Sequence, residues 1–261
     1  MARLDAEMVE RGIARSRQRA KEMISAGNVT VNGKPAKKAA QEVSVQDEIV
    51  SSEQELYVGR GALKLERAAE EFRLDFSGKT CIDIGASTGG FTDFMLSRGA
   101  ARVYAVDVGH GQLADTLRSD SRVVNMENTD IRAVTPEMIG GKADLITADV
   151  SFISLRIILP TVYSLLSDTG CAAVLIKPQF EAGRSGIGKN GIVKDRRVHV
   201  RVLTEINDFA ASVGFCCGRY TYSPVRGGSG NIEYLVMLTK GGAGTVPYNF
   251  RELVDSAFET L

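Results

Sequence analysis

The stretch from Thr80 to Gly99 constrains the fold more than any other. An apolar run, CIDI, empties into the turn Gly85-Ala86-Ser87-Thr88-Gly89-Gly90, and FTDFMLSRG then takes up helical spacing as far as Gly99. A buried strand feeding a helix through a short glycine turn is the unit of parallel sheets, because the crossover helix carries the chain back to the same edge. RVYAVDVG, RVVNMEN, ADLITADVSF and CAAVLIKP read as further strands, and RIILPTVYSLL and VRVLTEINDFAASVG as helices. GRYTYSPV and NIEYLVMLTK read as two late strands lying side by side, and NFRELVDSAFETL as a closing helix. The pattern predicts an α/β fold with a mostly parallel sheet and a late antiparallel strand.

The first 60 residues follow another pattern. Leu4, Met8, Val9 and Ile13 fall at helical spacing, with Gly12 as the stop. Ser16 is a candidate N-cap for a second helix ending at Gly27. Val29 and Val31 alternate with polar residues ahead of Asn32-Gly33, a hairpin signal, and Val43, Val45 and Ile49 read as short strands. The polar string SSEQELYVGR at 51–60 reads as a linker, dividing 1–50, a small α+β domain, from 61–261. Helical spacing resumes from Ala62 to Phe72.

Charge separates the two parts. The chain holds 32 Lys+Arg against 32 Asp+Glu, yet between Arg11 and Gln41 eight basic residues face only Glu22. A local excess of this kind is the footprint of a phosphate backbone, although a solvated helix face carries the same signature. Other classes are disfavoured. No run approaches the roughly 18 apolar residues of a membrane span, and MARLDAEMVERG lacks the apolar core of a secretory signal. Cys81, Cys171, Cys216 and Cys217 form no C-x-x-C pair, and the only histidines are His110 and His199. No metal centre or disulfide frame is expected, and a reducing cytoplasm is the simplest location. Cys216 and Cys217 read as structural and His110 as a surface residue.

The glycine turn reads as a ligand loop. Its glycines at 85, 89 and 90 do not match G-x-G-x-x-G, and Asp83 at its mouth repels phosphate but suits an ammonium group. Asp107, 24 residues on and followed by Val108, ends the next strand where an acid grips ribose hydroxyls. Asp130, followed by Ile131, stands after the third strand, placed to accept from an adenine amino group. Three acids at successive strand ends, around Gly85, Ala86, Ser87, Thr88, Gly89, Gly90 and Phe91, suit S-adenosylmethionine: an amino acid, a ribose, an adenine and a sulfonium, with no phosphate. The competing reading has the acids capping helix N-termini.

Two resemblances extend this reading. RLDAEMVERGIARSRQRAKEMISAGNVTVNGKPAKKAA resembles the alpha-L RNA-binding domain, which implies that Arg15, Arg17, Arg19, Lys21 and Lys34 face RNA phosphates. GRGALKL, DIGASTGGFTDFML, AVDVGHGQL, ADVSFISL, LIKPQFE and GNIEYL resemble the Rossmann-like ribose 2′-O-methyltransferases of the FtsJ type, and more closely the hemolysin A-like (TlyA) family. That family joins the two domains, and the resemblance covers nearly the whole chain. Gly59 departs from it, standing where related chains often have Ser.

The resemblance implies a catalytic tetrad at Lys64, Asp149, Lys177 and Glu233. Lys177 is then the general base, Lys64 the neighbouring cation that orients the hydroxyl, and Asp149 and Glu233 the groups that fix the lysines, with Asp149 also near the methionine end of the cofactor. The residues agree independently: Asp149 and Lys177 end the fourth and fifth strands, the ligand edge of an open parallel sheet, and Glu233 starts a late strand. A lone lysine or glutamate at such a place is otherwise a solvated residue.

FEAGRSGIGKNGIVK, from Phe180 to Lys194, reads as a mobile loop beside that edge that orders on RNA binding. The implied substrate is ribosomal RNA, in a subunit or a ribosome, at a cytidine of the 16S or 23S molecule or both. The rival readings are a membrane-active cytolysin and a non-catalytic ribosome-binding module.

Overall fold

The computed structural model describes all residues except 1, 15, 16, 53–56, 60, 184, 185, 189 and 242–246, together with the side chain of residue 19. The chain forms two compact units, Met1–Val58 and Gly59–Leu261.

The first unit contains β1 (Ala2–Arg3), α1 (Leu4–Glu10), α2 (Arg17–Ser25), β2 (Val29–Val31), β3 (Lys34–Pro35), β4 (Glu42–Val43) and β5 (Ile49–Ser51). β1 pairs with β4, and β2 lies between β3 and β5. Asn32 and Gly33 both have positive φ, +50° and +73°, the two left-handed residues that a tight hairpin turn needs. Leu4, Met8, Ala20, Met23, Val29 and Val31 are buried together, so the helical and alternating apolar patterns meet in one core. The expected cap Ser16 lies outside the described residues.

Two sequence expectations change here. Val45 is not strand material: it is 86% exposed in the turn between β4 and β5. Arg11 is not a free surface charge. It pairs with Glu7 at 2.8 Å and donates to the carbonyls of Asp47 at 2.6 Å and Ser44 at 2.8 Å, stapling the end of α1 to that turn.

The second unit runs α3 (Ala62–Phe72), β6 (Thr80–Ile84), α4 (Gly90–Ser97), β7 (Arg102–Val106), α5 (Asp115–Arg118), β8 (Val123–Met126), β9 (Ala143–Ala148), α6 (Leu155–Leu165), β10 (Leu166–Ile176), α7 (Pro178–Glu181), α8 (Arg196–Val213), β11 (Phe215–Tyr222), β12 (Tyr234–Lys240) and α9 (Phe250–Thr260). Its sheet has the order β11-β12-β10-β9-β6-β7-β8. β10, β9, β6, β7 and β8 are parallel, and β12 runs antiparallel to both its neighbours. The strand order reverses at β6, whose neighbours are β7 and β9, so the crevice for a ligand opens beyond the carboxyl ends of these three strands.

Local chemistry sets the helix ends. The Asp195 side chain accepts from Arg197 N to start α8, and Gly214 at φ +109° ends it. His199, Val202, Leu203, Ile206 and Ala210 form the buried face of α8. The Ser154 side chain caps α6, which runs through Pro160. α5 and α7, of four residues each, are too short to show periodicity in the sequence.

Candidate active site

Four elements distant in sequence bring four charged side chains together. Lys64 projects from the first turn of α3, Asp149 follows β9, Lys177 follows β10 and Glu233 precedes β12. Lys64 Nζ lies 2.7 Å from Glu233 Oε2 and 3.1 Å from Asp149 Oδ2. Lys177 Nζ lies 2.5 Å from the other oxygen, Asp149 Oδ1, at an angle outside hydrogen-bond geometry, and donates to Ser151 Oγ at 3.1 Å. Gln179 Nε2 donates to Glu233 Oε1 at 3.1 Å.

Lys64, Lys177 and Glu233 are buried. Burial opposes the charge on Lys64, but attraction from Asp149 and Glu233 outweighs it and raises its pKa above the ordinary lysine value. Burial likewise opposes the charge on Asp149, and the two lysines outweigh it, holding the carboxyl below its ordinary value. Lys64 is thus a fixed cation committed to two carboxylates. Lys177 is less committed.

The cluster opens onto a polar cavity of about 360 Å³, lined by Lys64, Lys177, Asp149, Ser151, the glycine loop and the segment Val225–Gly228. Beside it lies an apolar cavity of about 350 Å³ lined by Ile84, Val106, Val108, Ile131, Phe152, Ile153 and Ile158, with Asp107, Asp130 and Gln112 among its polar groups. Gly85, Ser87, Asp149 and Ser151 line both. The loop needs its glycine at 85: φ is +80°, and a Cβ there would lie 2.6 Å from the Asp149 carbonyl oxygen.

The other candidates in the ligand loop fall around this double cavity. Ala86, Thr88, Gly90 and Phe91 line its polar half. Gly89, at φ +95°, instead packs against Leu113 and Leu117. Asp107 receives Ser87 N at 2.8 Å on one oxygen and Gly109 N at 2.7 Å on the other, which fixes the loop against β7. Asp130 caps the short 3-10 turn Ile131–Ala133 and pairs with Arg132, while still lining the apolar half. Asp83 lines the polar half but is fully buried, held by Thr92 Oγ1 at 2.7 Å and Thr147 Oγ1 at 3.2 Å. Burial pushes its carboxyl up to about 7, against the lowering effect of those two hydroxyls.

The candidates of the first unit are a separate set. Lys21 and Lys34 are exposed. Arg17 is half-exposed but pairs with the buried Asp5 at 3.1 Å. Arg15 and the side chain of Arg19 lie outside the described residues. His110 is exposed and Cys217 buried.

Three neighbours of the cluster escaped the sequence reading. Ser151 and Phe152 stand two and three residues after Asp149; Phe152 is 91% exposed, at φ +65°, with its ring 5.1 Å from that of Phe180. Phe180 in turn lies 5.9 Å from Lys177 Nζ. Gln179 follows Lys177 by two residues. Their signal was position alone, three or four residues past a parallel strand end. The loop from Phe180 to Lys194 is anchored at its far end: Asn231 Oδ1 accepts from Val193 N and Asn231 Nδ2 donates to Gly191 O, while His199 Nε2 lies 2.9 Å from Val193 O. Residues 184, 185 and 189 of that loop are outside the described set. Among the described residues no group of three or more His, Cys, Asp or Glu could hold a metal ion, and no helix is long and apolar enough to cross a membrane.

Comparison with known proteins agrees with this architecture. Residues 57–240 match the FtsJ-like methyltransferase family and residues 2–49 the S4 domain. The chain is 46% identical to a Mycobacterium tuberculosis protein named 16S/23S rRNA (cytidine-2'-O)-methyltransferase TlyA, over 91% of this chain and 89% of the relative. It is 41% identical to Hemolysin A of Brachyspira hyodysenteriae, over 89% of this chain and 98% of that one. A solved Streptococcus thermophilus structure, provisionally named a hemolysin, superposes with a TM-score of 0.80 at 42% identity, over 99% of this chain and 96% of its own.

Proposed function

Since the chain belongs to the FtsJ-like methyltransferase family, among the members that carry an N-terminal S4 domain and include TlyA, we propose that it transfers a methyl group from S-adenosylmethionine to a ribose 2′-hydroxyl of ribosomal RNA, at a cytidine. The observation that carries this reading is the buried Lys64–Asp149–Lys177–Glu233 cluster opening onto a cavity shared with the glycine loop.

The double cavity fits the methyl donor. Gly85, where no side chain fits, lets the loop backbone approach a ligand closely. Asp83 stands at the polar half for an ammonium group, which would keep its carboxyl ionised. Each Asp107 oxygen has a second lone pair for a ribose hydroxyl. Val108, Ile131 and Ile153 offer an apolar slot for a flat base, with Asp130 at its edge. The donor, when bound, supplies a methyl carbon already activated by the sulfonium.

The chain's own work is then to position a hydroxyl and take its proton. Lys177 Nζ accepts the 2′-hydroxyl proton as attack proceeds, since it alone of the two lysines is not spanned between carboxylates. Lys64 stays protonated and orients the same oxygen. Asp149 holds one lysine on each of its oxygens, and Glu233 holds Lys64 from the far side. Alignment of hydroxyl and methyl supplies much of the acceleration. The exposed ring of Phe152 offers a stacking face for a base displaced from its helix. Lys21 and Lys34 of the S4 domain contact RNA phosphates, and the protein works in the cytoplasm where its substrate is.

The test is to incubate ribosomal subunits and intact ribosomes with methyl-labelled S-adenosylmethionine and hydrolyse the RNA in alkali. Ribose methylation leaves the label in an alkali-resistant dinucleotide. Label released as a mononucleotide carrying a methylated base would refute the proposal.

A further inference from the structure

Ser151 is a polar side chain, outside the expected site residues, that joins the lysine cluster to both halves of the cavity. It is exposed, it lines both halves, and its hydroxyl accepts from Lys177 Nζ at 3.1 Å. The Lys177 contact with Asp149 Oδ1 is short but off-angle, so the bond to Ser151 gives the Nζ its direction. The two segments involved are tied together by Glu181. One of its oxygens accepts from Ser154 Oγ at 2.6 Å and the other from Leu155 N at 2.7 Å, which locks the stretch after Asp149 to α7, directly after Lys177.

We propose that Ser151 is a positioning residue for the reaction, whose hydroxyl holds Lys177 Nζ so that its remaining position faces the reacting ribose oxygen. This rests on Lys177 as the base. An amine nitrogen has three positions besides its carbon. Ser151 takes one, and the Asp149 carboxylate crowds a second side without a directed bond, which leaves the side open to the polar cavity for the lone pair that receives the proton. With Asp149 alone, the end of the side chain swings about one off-angle contact and the lone pair spends most of its time aimed elsewhere. The Ser151 hydroxyl accepts from the lysine, and its own hydrogen remains available to the cavity.

The test compares Ser151→Ala, Ser151→Thr and Lys177→Ala. A lost hydrogen bond to a charged or charging group predicts a fall in kcat of about tenfold for Ser151→Ala. RNA KM and S-adenosylmethionine affinity should stay within about twofold, because Ser151 acts on the base rather than on binding. Ser151→Thr, which keeps the hydroxyl at an exposed site, should recover most of the rate. A readout independent of RNA is the Lys177 Nζ resonance in lysine-labelled protein: visible in the wild type and Ser151→Thr, where the group is held, and lost to exchange in Ser151→Ala. Wild-type kcat in Ser151→Ala alongside an inactive Lys177→Ala overturns the role of Ser151 and leaves the base assignment standing. So does a Lys177 resonance that persists in Ser151→Ala. Wild-type kcat in Lys177→Ala overturns both.

Discussion

Replacing Lys64 by methionine keeps most of the side-chain volume and removes the cation between Asp149 and Glu233. Asp149 retains Lys177 at 2.5 Å. Glu233, its side chain 3% exposed, is left with the neutral donor Gln179 at 3.1 Å. An uncompensated buried charge costs about 3–5 kcal/mol, and the remaining amide bond places this case near the lower figure. At about 2–4 °C per kcal/mol for a unit of this size, the melting transition of the larger unit should fall by roughly 10 °C at pH 8. The loss should shrink at pH 5. A buried carboxyl without its cation escapes the cost only by taking up a proton, so the folded variant binds more protons than its unfolded chain and loses stability as pH rises. Calorimetry of wild type and Lys64→Met at both pH values measures this. An unchanged transition, or an equal loss at pH 5 and pH 8, would refute the reading of Lys64 as the cation that makes Glu233 tolerable.

Gly85→Ala forces a left-handed backbone on a Cβ that meets a carbonyl oxygen at 2.6 Å, so S-adenosylmethionine affinity measured by calorimetry should fall by at least about tenfold while the sheet stays folded. Asp83→Asn should weaken donor binding yet gain stability with pH. The wild-type carboxyl, raised to about 7, favours the folded state fully only below the unfolded pKa and loses that contribution as pH climbs through 7, so denaturant titration should show the variant relatively more stable at pH 8 than at pH 4. Arg11→Ala should destabilise the first unit by about 1–3 kcal/mol through the loss of its bonds to Glu7 and to the carbonyls of Ser44, Val45 and Asp47. Lys21→Ala and Lys34→Ala should leave its stability alone and each lower the salt dependence of RNA binding by about 0.7–0.9 in log–log slope.

Some features were legible because a local rule decides them. Asn32-Gly33 could only be a tight turn, and the run from Cys81 through Gly90 could only be a strand, a close backbone loop and a helix. Asp149 and Lys177 were placed by the general rule that parallel strand ends face the ligand. The contact of Lys64 with Glu233 spans 169 residues, and no spacing argument reaches that far; family resemblance supplied it. Side chains whose partners are set by tertiary packing were the least legible. Arg11 counted toward a basic surface but is a staple, because nothing in the sequence marks the carbonyls of residues 44–47 as its acceptors. Asp83 and Asp130 stood at the expected strand ends, yet one is buried between two threonines and the other caps a short turn. Phe152 gave no signal, since an exposed aromatic with positive φ owes its position to its surroundings rather than to any pattern.

The central claim is that Lys177 removes the ribose proton. Its most direct test is single-turnover methyl transfer to RNA in ribosomal subunits by wild type and Lys177→Ala, with S-adenosylmethionine affinity measured in parallel. The account predicts donor binding within about twofold and transfer slower by about 10²–10⁴ in Lys177→Ala, the usual contribution of a general base. Transfer at the wild-type rate by Lys177→Ala, with the methyl still on the ribose, would contradict it.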